Sequence, residues 1–434
     1  MEVRFPELAM VILVGTSASG KSTFARRHFL PTEVISSDHC RGLVADDEND
    51  QGATRAAFEV LNFILAKRLE AGRLTVVDAT NVRTEDRRSL LEIARRYHVL
   101  PVALVFDLPE ALCQERNRTR EGRNLDSHVI RNQRQQMRDS IGSLQTQGFR
   151  HVTTFRSVED IDAAALVREP SWNDKKAETG PLDIVGDVHG CYDELRELLL
   201  KLGYVMDETG GTPQIRHPHD RKLVFVGDLV DRGPKTPEVL KLVMAAIADG
   251  TAFCVVGNHD DKLSRKLNGR DVKVAHGLAE SLAQLDGQTP EFRRQTAEFL
   301  DGLVSHYVFD QGRLVVAHAG LREEMHGRGS TAVRSFAMYG ETTGETDEYG
   351  LPVRCNWAAE YRGRATVVYG HTPVQYAEWL NDTICVDTGC VFGGKLSALR
   401  YPERELVDVP ARLTYYEPVR PLAPPVRPAR DSPP

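Results

Sequence analysis

Long apolar runs, paired cysteines and an excess of positive charge are all absent from this chain of 434 residues. No stretch approaches the ~18 apolar residues of a membrane span, and the start of the chain, with Glu2 and Glu7, does not resemble a signal peptide. The seven cysteines form no Cys-x-x-Cys pair, which is typical of free thiols in a reducing cytosol. The net charge of −7 argues against indiscriminate binding to polyanions. We therefore expect a cytoplasmic protein with no membrane partner.

The first motif that carries chemistry is a turn rich in glycine and serine. The run from Met10 to Val14 predicts a buried strand, and a helical stretch extends to His28. Between them lies Gly15-Thr-Ser-Ala-Ser-Gly-Lys-Ser22, a full Walker A pattern, although a turn without nucleotide is the alternative. In such a loop, backbone N–H groups, a lysine and a hydroxyl hold the phosphates and Mg²⁺ of ATP. The predicted nucleotide-binding residues are Gly15, Ser17, Ser19, Gly20, Lys21, Ser22 and Thr23.

Strand, helix and strand alternate after this loop, as the parallel sheet of a nucleotide kinase requires. Short strands at Glu33–Ile35 and Leu74–Val77 lead into Asp38 and into Asp78-Ala-Thr-Asn81. Asp38 lies where a general base for an acceptor hydroxyl belongs, but an aspartate after a strand also commonly caps a helix. Both interpretations stay open from the residues alone.

A basic segment follows the strand Val99–Phe106. Arg116 and Arg120 are four residues apart, on one face of a predicted helix, and suit a lid that closes over phosphates. A solvated charged helix is the alternative, but the segment has few glutamates to balance the arginines. We therefore predict an anion-binding surface.

The second half of the chain contains five motifs of metal-ligand type, each directly after a strand-like run. Because strand ends converge in open α/β sheets, the motifs can share one site. A single histidine is usually an ordinary surface or core residue, but five motifs in order favour a metal centre. The motifs are Gly186-Asp-Val-His-Gly-Cys191, Gly227-Asp-Leu-Val-Asp-Arg-Gly233, Gly257-Asn-His-Asp260, His318 in Ala317-His-Ala-Gly320, and His371 in Gly370-His-Thr-Pro373.

Taken in order from about residue 8 to 405, these motifs resemble the bacterial polynucleotide kinase-phosphatase family of RNA repair. The resemblance implies an ATP- and Mg²⁺-dependent kinase in which Lys21 and Ser22 serve the nucleotide and Asp38 is the general base. It also implies that Arg41 contacts the acceptor strand and that Arg116 and Arg120 clamp phosphates. Implied partners are RNA or DNA ends, and a homodimer or a separate ligase or RNA-modifying subunit stays open. Those proteins usually continue into a ligase-type module, which this sequence lacks, so no sealing activity is expected.

The second half by itself resembles the binuclear metallophosphoesterases, which include serine/threonine phosphatases and dinucleoside tetraphosphatases. The resemblance implies three ligand groups: Asp187 and His189 on one ion, Asn258, His318 and His371 on a second ion, and Asp228 between them. Oxygen and imidazole donors suit Mn²⁺ or Ni²⁺. They differ from the thiolate donors of a tight zinc site. Paired ions of this kind activate a bridging water.

Three residues beside these ligands have predicted catalytic roles. His259 is placed to protonate the leaving oxygen, and Asp231 is placed to orient the His259 ring. Arg232 can donate two hydrogen bonds to the phosphate. Asp387 follows His371 in the chain and is a candidate to support the ligands.

The motifs divide the chain into two predicted domains. We predict a P-loop kinase domain with a parallel sheet at 1–167, a polar linker at 168–180, an α/β metallophosphoesterase sandwich at 181–410, and a Pro-rich tail at 411–434. The stretch from Leu321 to about Asn356 lacks periodicity and is predicted to be an insertion that covers the substrate.

Three functions fit the sequence. The favoured one is an end-healing enzyme that phosphorylates 5′-hydroxyl ends and removes 2′, 3′ or cyclic phosphates. The second is a small-molecule kinase fused to a dinucleoside-polyphosphate hydrolase or a protein phosphatase. The third is a regulatory scaffold without turnover, which would have no need to retain Lys21, Asp38, Asp187 and His259.

Overall fold

The computed structural model describes residues 1–120, 125–207, 209 and 213–422. The chain divides into two compact units, Met1–Ser171 with Arg328–Ser330, and Trp172–Gly327 with the residues from Thr331 onward. Residues 423–434, the end of the predicted Pro-rich tail, lie outside the described residues. Within the described ranges, no helix is both long enough and apolar enough to cross a membrane.

The first unit is built around a five-stranded, wholly parallel sheet in the order β3-β4-β2-β5-β6, and β1 pairs separately with β7. Its strands are β1 (Glu2–Pro6), β2 (Ala9–Gly15), β3 (Val34–Ser36), β4 (Thr75–Asp78), β5 (Leu100–Phe106), β6 (His151–Phe155) and β7 (Ala165–Glu169). Its helices are α1 (Lys21–His28), α2 (Ser37–Ala45), α3 (Thr54–Glu70), α4 (Thr84–Arg96), α5 (Glu110–Thr119), α6 (Ser127–Ile141), α7 (Leu144–Gln147) and α8 (Val158–Asp162).

The central strand β2 is buried on both faces, which explains its unbroken apolar run. Met10 and Ile12 belong to one apolar cluster, whereas Val11 and Leu13 belong to the other, together with Phe24 of α1. Successive side chains of a strand point to opposite faces, so this alternation fixes β2 in the middle of the sheet. The loop that follows β2 is thereby held at the carboxyl edge of the sheet, directly before α1.

The second unit contains a five-stranded sheet, β13-β12-β9-β21-β22, and a six-stranded sheet, β19-β20-β18-β15-β14-β8. Its strands are β8 (Asp174–Lys175), β9 (Leu182–Val185), β10 (Val205–Asp207), β11 (Gln214–Arg216), β12 (Lys222–Phe225), β13 (Ala252–Cys254), β14 (His306–Phe309), β15 (Leu314–Ala317), β16 (Thr342–Thr346), β17 (Pro352–Arg354), β18 (Thr366–Tyr369), β19 (Trp379–Leu380), β20 (Thr383–Cys385), β21 (Lys395–Tyr401) and β22 (Glu405–Pro410). Its helices are α9 (Tyr192–Leu202), α10 (Thr236–Ala248), α11 (Asn258–Leu267), α12 (Leu278–Asp286), α13 (Pro290–Asp301), α14 (Thr331–Tyr339) and α15 (Trp357–Glu360).

The two sheets of the second unit pack face to face. Ile184 of β9 and Val224 of β12 share one buried cluster with Val316 of β15 and Val368 of β18. Separate clusters on the outer faces bury α9 and α10 on one side and α14 and α15 on the other. The parallel sheet of the first unit and the layered α/β sandwich of the second confirm the predicted fold class.

The structure differs from the sequence analysis in three segments. The stretch 168–180 contains the end of β7 and the short strand β8, which pairs with β14. The stretch from Leu321 to Asn356 contains helix α14, whose Val333 and Phe336 are buried, and the hairpin β16–β17. Helix α5 ends at Thr119, so Arg120 has extended backbone and does not continue the helical face of Arg116.

A buried ion pair holds β9, the strand that leads into Asp187. Arg221 donates to Asp183 with a shortest distance of 2.7 Å, and also to Glu403 at 2.7 Å. Asp183 is fully buried, whereas the Glu403 side chain is 46% exposed. The two carboxylates therefore have the same partner but different contact with solvent.

We predict that Asp183→Ala destabilises the second unit by about 3 kcal/mol, because the Arg221 guanidinium loses its buried counter-charge. Glu403→Ala is the matched control and should cost less than about 1 kcal/mol, because solvent screens the exposed pair. Chemical unfolding monitored by circular dichroism measures both. Equal losses would show that burial does not decide the contribution of this pair.

Candidate active site

In the second unit, five strand ends bring together the six predicted metal ligands. Strands β9, β12 and β13 run parallel in one sheet, and β15 and β18 run parallel in the other. Each ligand follows its strand by a few residues, at the carboxyl edge of the sandwich. The ligands and their strands are Asp187 and His189 after β9, Asp228 after β12, Asn258 after β13, His318 after β15 and His371 after β18.

His318 is the centre of one ligand group. Its Nδ1 lies 3.0 Å from the carbonyl oxygen of Val226, which accepts a hydrogen bond and fixes the ring tautomer. Its Nε2 lies 3.0 Å from Asn258 Oδ1 and 3.0 Å from His371 Nδ1. The arrangement leaves an imidazole lone pair and an amide oxygen converging on one point.

His189 is oriented in the same way on the other side of Asp228. Its Nδ1 lies 2.7 Å from the Val230 carbonyl oxygen, so Nε2 carries the lone pair. Asp228 Oδ2 lies 3.6 Å from His189 Nε2 and 3.4 Å from His318 Nε2. One carboxylate oxygen between two imidazoles is the arrangement that a bridging ligand requires.

Buried polar atoms in this cluster show that its donors fit divalent cations. Asp187 Oδ1 and His371 Nε2 have no hydrogen-bond partner, although both are shielded from solvent. Donor atoms of Asp228, His318 and His371 lie within 4.8 Å of one another, and so do those of His189, Asp228 and His259. Oxygen and imidazole donors of this kind suit first-row divalent metals.

The carboxylates also require a positive charge nearby. Burial and the charges of Asp387 and Asp228 raise the pKa of Asp187 well above its usual range. Burial would also raise the pKa of Asp228, but the charges of His318 and His259 hold that pKa well below its usual value. Several buried acids this close together are stable as anions only with cationic partners.

Left-handed backbone is concentrated at this site. His189, Asp228, Asp231, Arg232 and His371 all have φ between 43° and 74°. Such conformations cost roughly 1–3 kcal/mol at a residue with a side chain, and they persist where surrounding structure enforces them. The fold therefore holds these side chains in place at the expense of local backbone energy.

His259, Asp231 and Arg232 lie together beside the ligands. His259 Nδ1 is 2.7 Å from Asp231 Oδ2, and Arg232 Nη2 donates to His259 Nε2 at 2.9 Å. Arg232 Nη1 lies 2.7 Å from His189 Nε2, so the guanidinium reaches both histidines. The structure thus brings the three predicted residues together, with Asp231 beside the His259 ring and Arg232 between His259 and His189.

The first unit contains a polar cavity of about 550 Å³ at the loop after β2. Gly15 ends β2, and the Lys21 ammonium donates to the carbonyl oxygens of Gly15 at 2.8 Å and Thr16 at 2.7 Å. Burial lowers the pKa of Lys21 to about 8, against the opposing charge of Asp78. The predicted nucleotide-binding residues that line the cavity are Ser17, Gly20, Lys21, Ser22 and Thr23, whereas Ser19 is fully buried and does not line it.

The remaining predicted residues of the first unit lie at the same cavity or beside it. Asp38, Arg116 and Arg120 line it, and the Arg116 guanidinium lies next to Gly20. Arg41 is buried and donates to Asp38 at 2.8 Å. Ser36, not Asp38, caps helix α2, so the capping interpretation of Asp38 is wrong.

Two residues, one lining this cavity and one behind its loop, received no role from the sequence. Asp78, at the end of β4, accepts a hydrogen bond from the Ser22 side chain and faces Lys21. Its position at a strand end beside the Walker A loop is the sequence signal that could have predicted a role for it. Gln133 of α6 accepts from the Ser17 backbone N–H at 2.8 Å, and nothing in the local sequence indicates that contact.

Comparison with known proteins agrees with both halves of the geometry. Residues 10–144 match a family model described as an AAA domain, and residues 180–383 match the calcineurin-like phosphoesterase model. Curated relatives named bis(5′-nucleosyl)-tetraphosphatase PrpE [asymmetrical] align with about half of the chain. The protein from Anoxybacillus flavithermus is 46% identical over 237 residues, which are 54% of this chain and 95% of that protein. Those from Geobacillus thermodenitrificans and Bacillus subtilis are 47% and 46% identical, each covered over 96% of its length.

The chain belongs to the calcineurin-like phosphoesterase family.

Calcineurin-like phosphoesterases use divalent metal ions, and the donor cluster of the second unit is the candidate site for them. The chain therefore joins a P-loop, kinase-like domain to a metallophosphoesterase. The relatives carry the tetraphosphatase name, not that of a polynucleotide kinase-phosphatase.

Gly370 makes the approach of Asp187 to the metal cluster possible. A Cβ atom at position 370 would lie 1.9 Å from Asp187 Oδ1, so any side chain there displaces the carboxylate. We predict that Gly370→Ala lowers the metal content of the second unit and reduces phosphoester hydrolysis by at least about tenfold. Elemental analysis of dialysed protein measures the metal directly.

Gly287→Ala is the matched control. Gly287 has φ of −75°, and the nearest atom to an added Cβ is 3.5 Å away. This variant should keep its metal and its activity. Full metal occupancy in Gly370→Ala would contradict the placement of Asp187 in the metal site.

Proposed function

We propose that the second unit is a two-metal hydrolase of dinucleoside polyphosphates, with an asymmetrically cleaved bis(5′-nucleosyl) tetraphosphate as its substrate. The observation that carries the proposal is the 46% identity over 95% of the length of a bis(5′-nucleosyl)-tetraphosphatase. This alternative from the sequence analysis has better support than RNA end healing does.

In this proposal Asp187 and His189 would hold one divalent ion, Asn258, His318 and His371 would hold the other, and Asp228 would be shared between them. When bound, two such ions activate a water molecule and stabilise the charge that develops on phosphate oxygens. We expect Mn²⁺ or Ni²⁺ to support activity, because the donors are mixed oxygen and imidazole groups.

The side chains around the metals have separate tasks. Arg232 reaches between His189 and His259, so it can donate to a phosphate oxygen held at the same place. His259 gives a proton to a leaving oxygen that would otherwise depart as an alkoxide, and the Asp231 carboxylate, 2.7 Å from His259 Nδ1, orients the ring.

For the first unit we propose ATP- and Mg²⁺-dependent phosphoryl transfer to a hydroxyl group. Lys21, which now donates to the carbonyl oxygens of Gly15 and Thr16, would contact the phosphates, and Ser22 with Asp78 would hold Mg²⁺. Arg116 and Arg120 neutralise charge on the transferred group. Asp38 lines the same cavity and accepts the proton of the acceptor hydroxyl.

RNA or DNA end healing remains the second candidate function. The observation that favours it is the ion pair of Arg41 with Asp38, because it places a cation that could bind a phosphate of a nucleic-acid acceptor beside the candidate base. In this case Arg41 would contact the acceptor strand and the second unit would act on 2′ or 3′ phosphates.

One set of assays separates the candidates. The Mn²⁺-loaded protein is given diadenosine tetraphosphate, an oligonucleotide with a 3′-phosphate, and a phosphopeptide, and products are resolved by chromatography. The proposed function predicts the fastest turnover for the tetraphosphate, with ATP and AMP as products. Faster release from the oligonucleotide, together with ATP-dependent phosphorylation of its 5′ end, would favour end healing.

The two activities should be separable by mutation, because their residues lie in different units. Lys21→Ala is predicted to abolish phosphoryl transfer from labelled ATP and to leave phosphoester hydrolysis within about twofold of wild type. Lys67→Ala removes an exposed lysine paired with Glu70 and is the control. Loss of both activities in folded Lys21→Ala protein would refute the separation.

The proton donor should matter only for poor leaving groups. His259→Ala is predicted to slow phosphate release from adenosine 3′-phosphate by ~10²-fold more than release from p-nitrophenyl phosphate, because the ribose alkoxide needs a proton. Cleavage of the tetraphosphate should lose little, because its leaving group is already a stable anion.

His318→Ala is the comparison variant and should slow all three substrates alike, because it removes a metal ligand. Steady-state rates at saturating Mn²⁺ give the ratios. An equal loss on all substrates in His259→Ala would mean that His259 holds metal or phosphate.

A further inference from the structure

The pocket that opens from the candidate metal ligands is also lined by arginines. This cavity of about 230 Å³ has Asp228, Asn258 and His371 in its lining together with Arg354 and Arg420. All of these residues belong to the second unit. Neither arginine belongs to a ligand motif, and the sequence analysis assigned no role to either.

Arg354 is the last residue of the β16–β17 hairpin. It is half-buried, and its guanidinium donates to the carbonyl oxygen of Tyr339, a neutral acceptor. Among the residues that the structure describes, no carboxylate lies within 4 Å of the Arg354 guanidinium. A partly buried cation with only a neutral neighbour is available to an anionic ligand.

Arg420 reaches the same pocket from a different part of the chain. It lies in the segment Ala411–Leu422 after β22, which we call the strap. Its Nη1 is 3.3 Å from Asp347 Oδ2, at the turn of the hairpin. The other oxygen of Asp347 accepts from the backbone N–H groups of Tyr349 and Leu351, so this carboxylate also serves the turn.

The strap is held in place by buried groups. Glu194 accepts from the Arg412 backbone N–H at 2.9 Å and from the Tyr415 hydroxyl at 2.8 Å. The backbone N–H groups of Tyr415 and Tyr416 donate to the Val391 carbonyl oxygen at 3.0 and 3.1 Å. The strap is therefore fixed beside the metal cluster by contacts that do not involve Arg420.

The strap also supports Arg232. The Arg232 guanidinium lies 5.1 Å from the ring centroid of Phe392 and 5.9 Å from that of Tyr416, at distances typical of cation–π contact. The pocket is thus lined by three arginines, Arg232, Arg354 and Arg420, together with the candidate metal ligands Asp228, Asn258 and His371.

We propose that Arg354 and Arg420 form an anion subsite that binds the second and later phosphates of a polyphosphate chain whose first phosphate lies at the metal cluster. The inference rests on the proposed function and names the substrate class of that site: linear polyphosphate esters in preference to phosphate monoesters. Burial lowers the pKa of Arg354, and the charge on Arg420 lowers it further, which agrees with two cations facing one space.

The test uses competitive inhibition of p-nitrophenyl phosphate hydrolysis by inorganic tripolyphosphate and by orthophosphate, with free Mn²⁺ held constant. Wild-type protein should bind tripolyphosphate more tightly than orthophosphate. Arg420→Gln and Arg354→Gln should each reduce this preference by about tenfold, because each removes charge-assisted hydrogen bonds to the chain.

Arg412→Ala is the matched control. Arg412 lies in the same strap, but its side chain is 52% exposed and pairs with Asp193 and Glu197. The Arg412→Ala variant should keep the wild-type preference. Metal content is measured for every variant, so a loss of metal is not mistaken for a loss of the subsite.

The results of this test either support the anion subsite or overturn it. An unchanged preference in both Arg→Gln variants, or no preference in the wild type, overturns the subsite. If the preference depends on the arginines but diadenosine tetraphosphate is not cleaved, the subsite stands and the proposed function fails.

Discussion

The shared position of Asp228 between two histidines is the constraint on which the second unit depends. Its Oδ2 lies within 3.6 Å of both His189 Nε2 and His318 Nε2, and these histidines follow strands of different sheets. Any change in how the sheets pack would separate them. The buried ion pair on β9, the left-handed residues and the missing side chain at Gly370 can all be understood as ways of keeping this one geometry.

The ligand set and the Walker A loop could be predicted because each motif is local, and strand ends bring local motifs together. Asp187, His371 and Lys21 therefore lie where the sequence analysis expected. Arg120 was expected on a helical face, but the helix ends at Thr119, which the pattern of charges could not indicate. Arg354, Arg420 and Gln133 act through contacts between distant segments, and periodicity within a segment carries no information about such contacts.

The two units have different kinds of phosphate site. The first unit places a buried lysine and a carboxylate, Asp78, at a phosphate-binding loop, whereas the second surrounds metal ligands with arginines. One arrangement suits transfer of a phosphoryl group and the other suits its release to water. The proposed anion subsite assigns substrate choice in the second unit to the hairpin and the strap, which carry Arg354 and Arg420.

The central claim is that six side chains form one two-metal site bridged by Asp228. Electron paramagnetic resonance of the Mn²⁺-loaded protein, without nucleotide, tests it most directly. Ions that share a bridging ligand about 3.5–4 Å apart should give a spin-coupled signal. The account predicts two Mn²⁺ per chain with that coupled signal, and its loss in Asp228→Ala. A single ion per chain, or two ions without coupling, would contradict it.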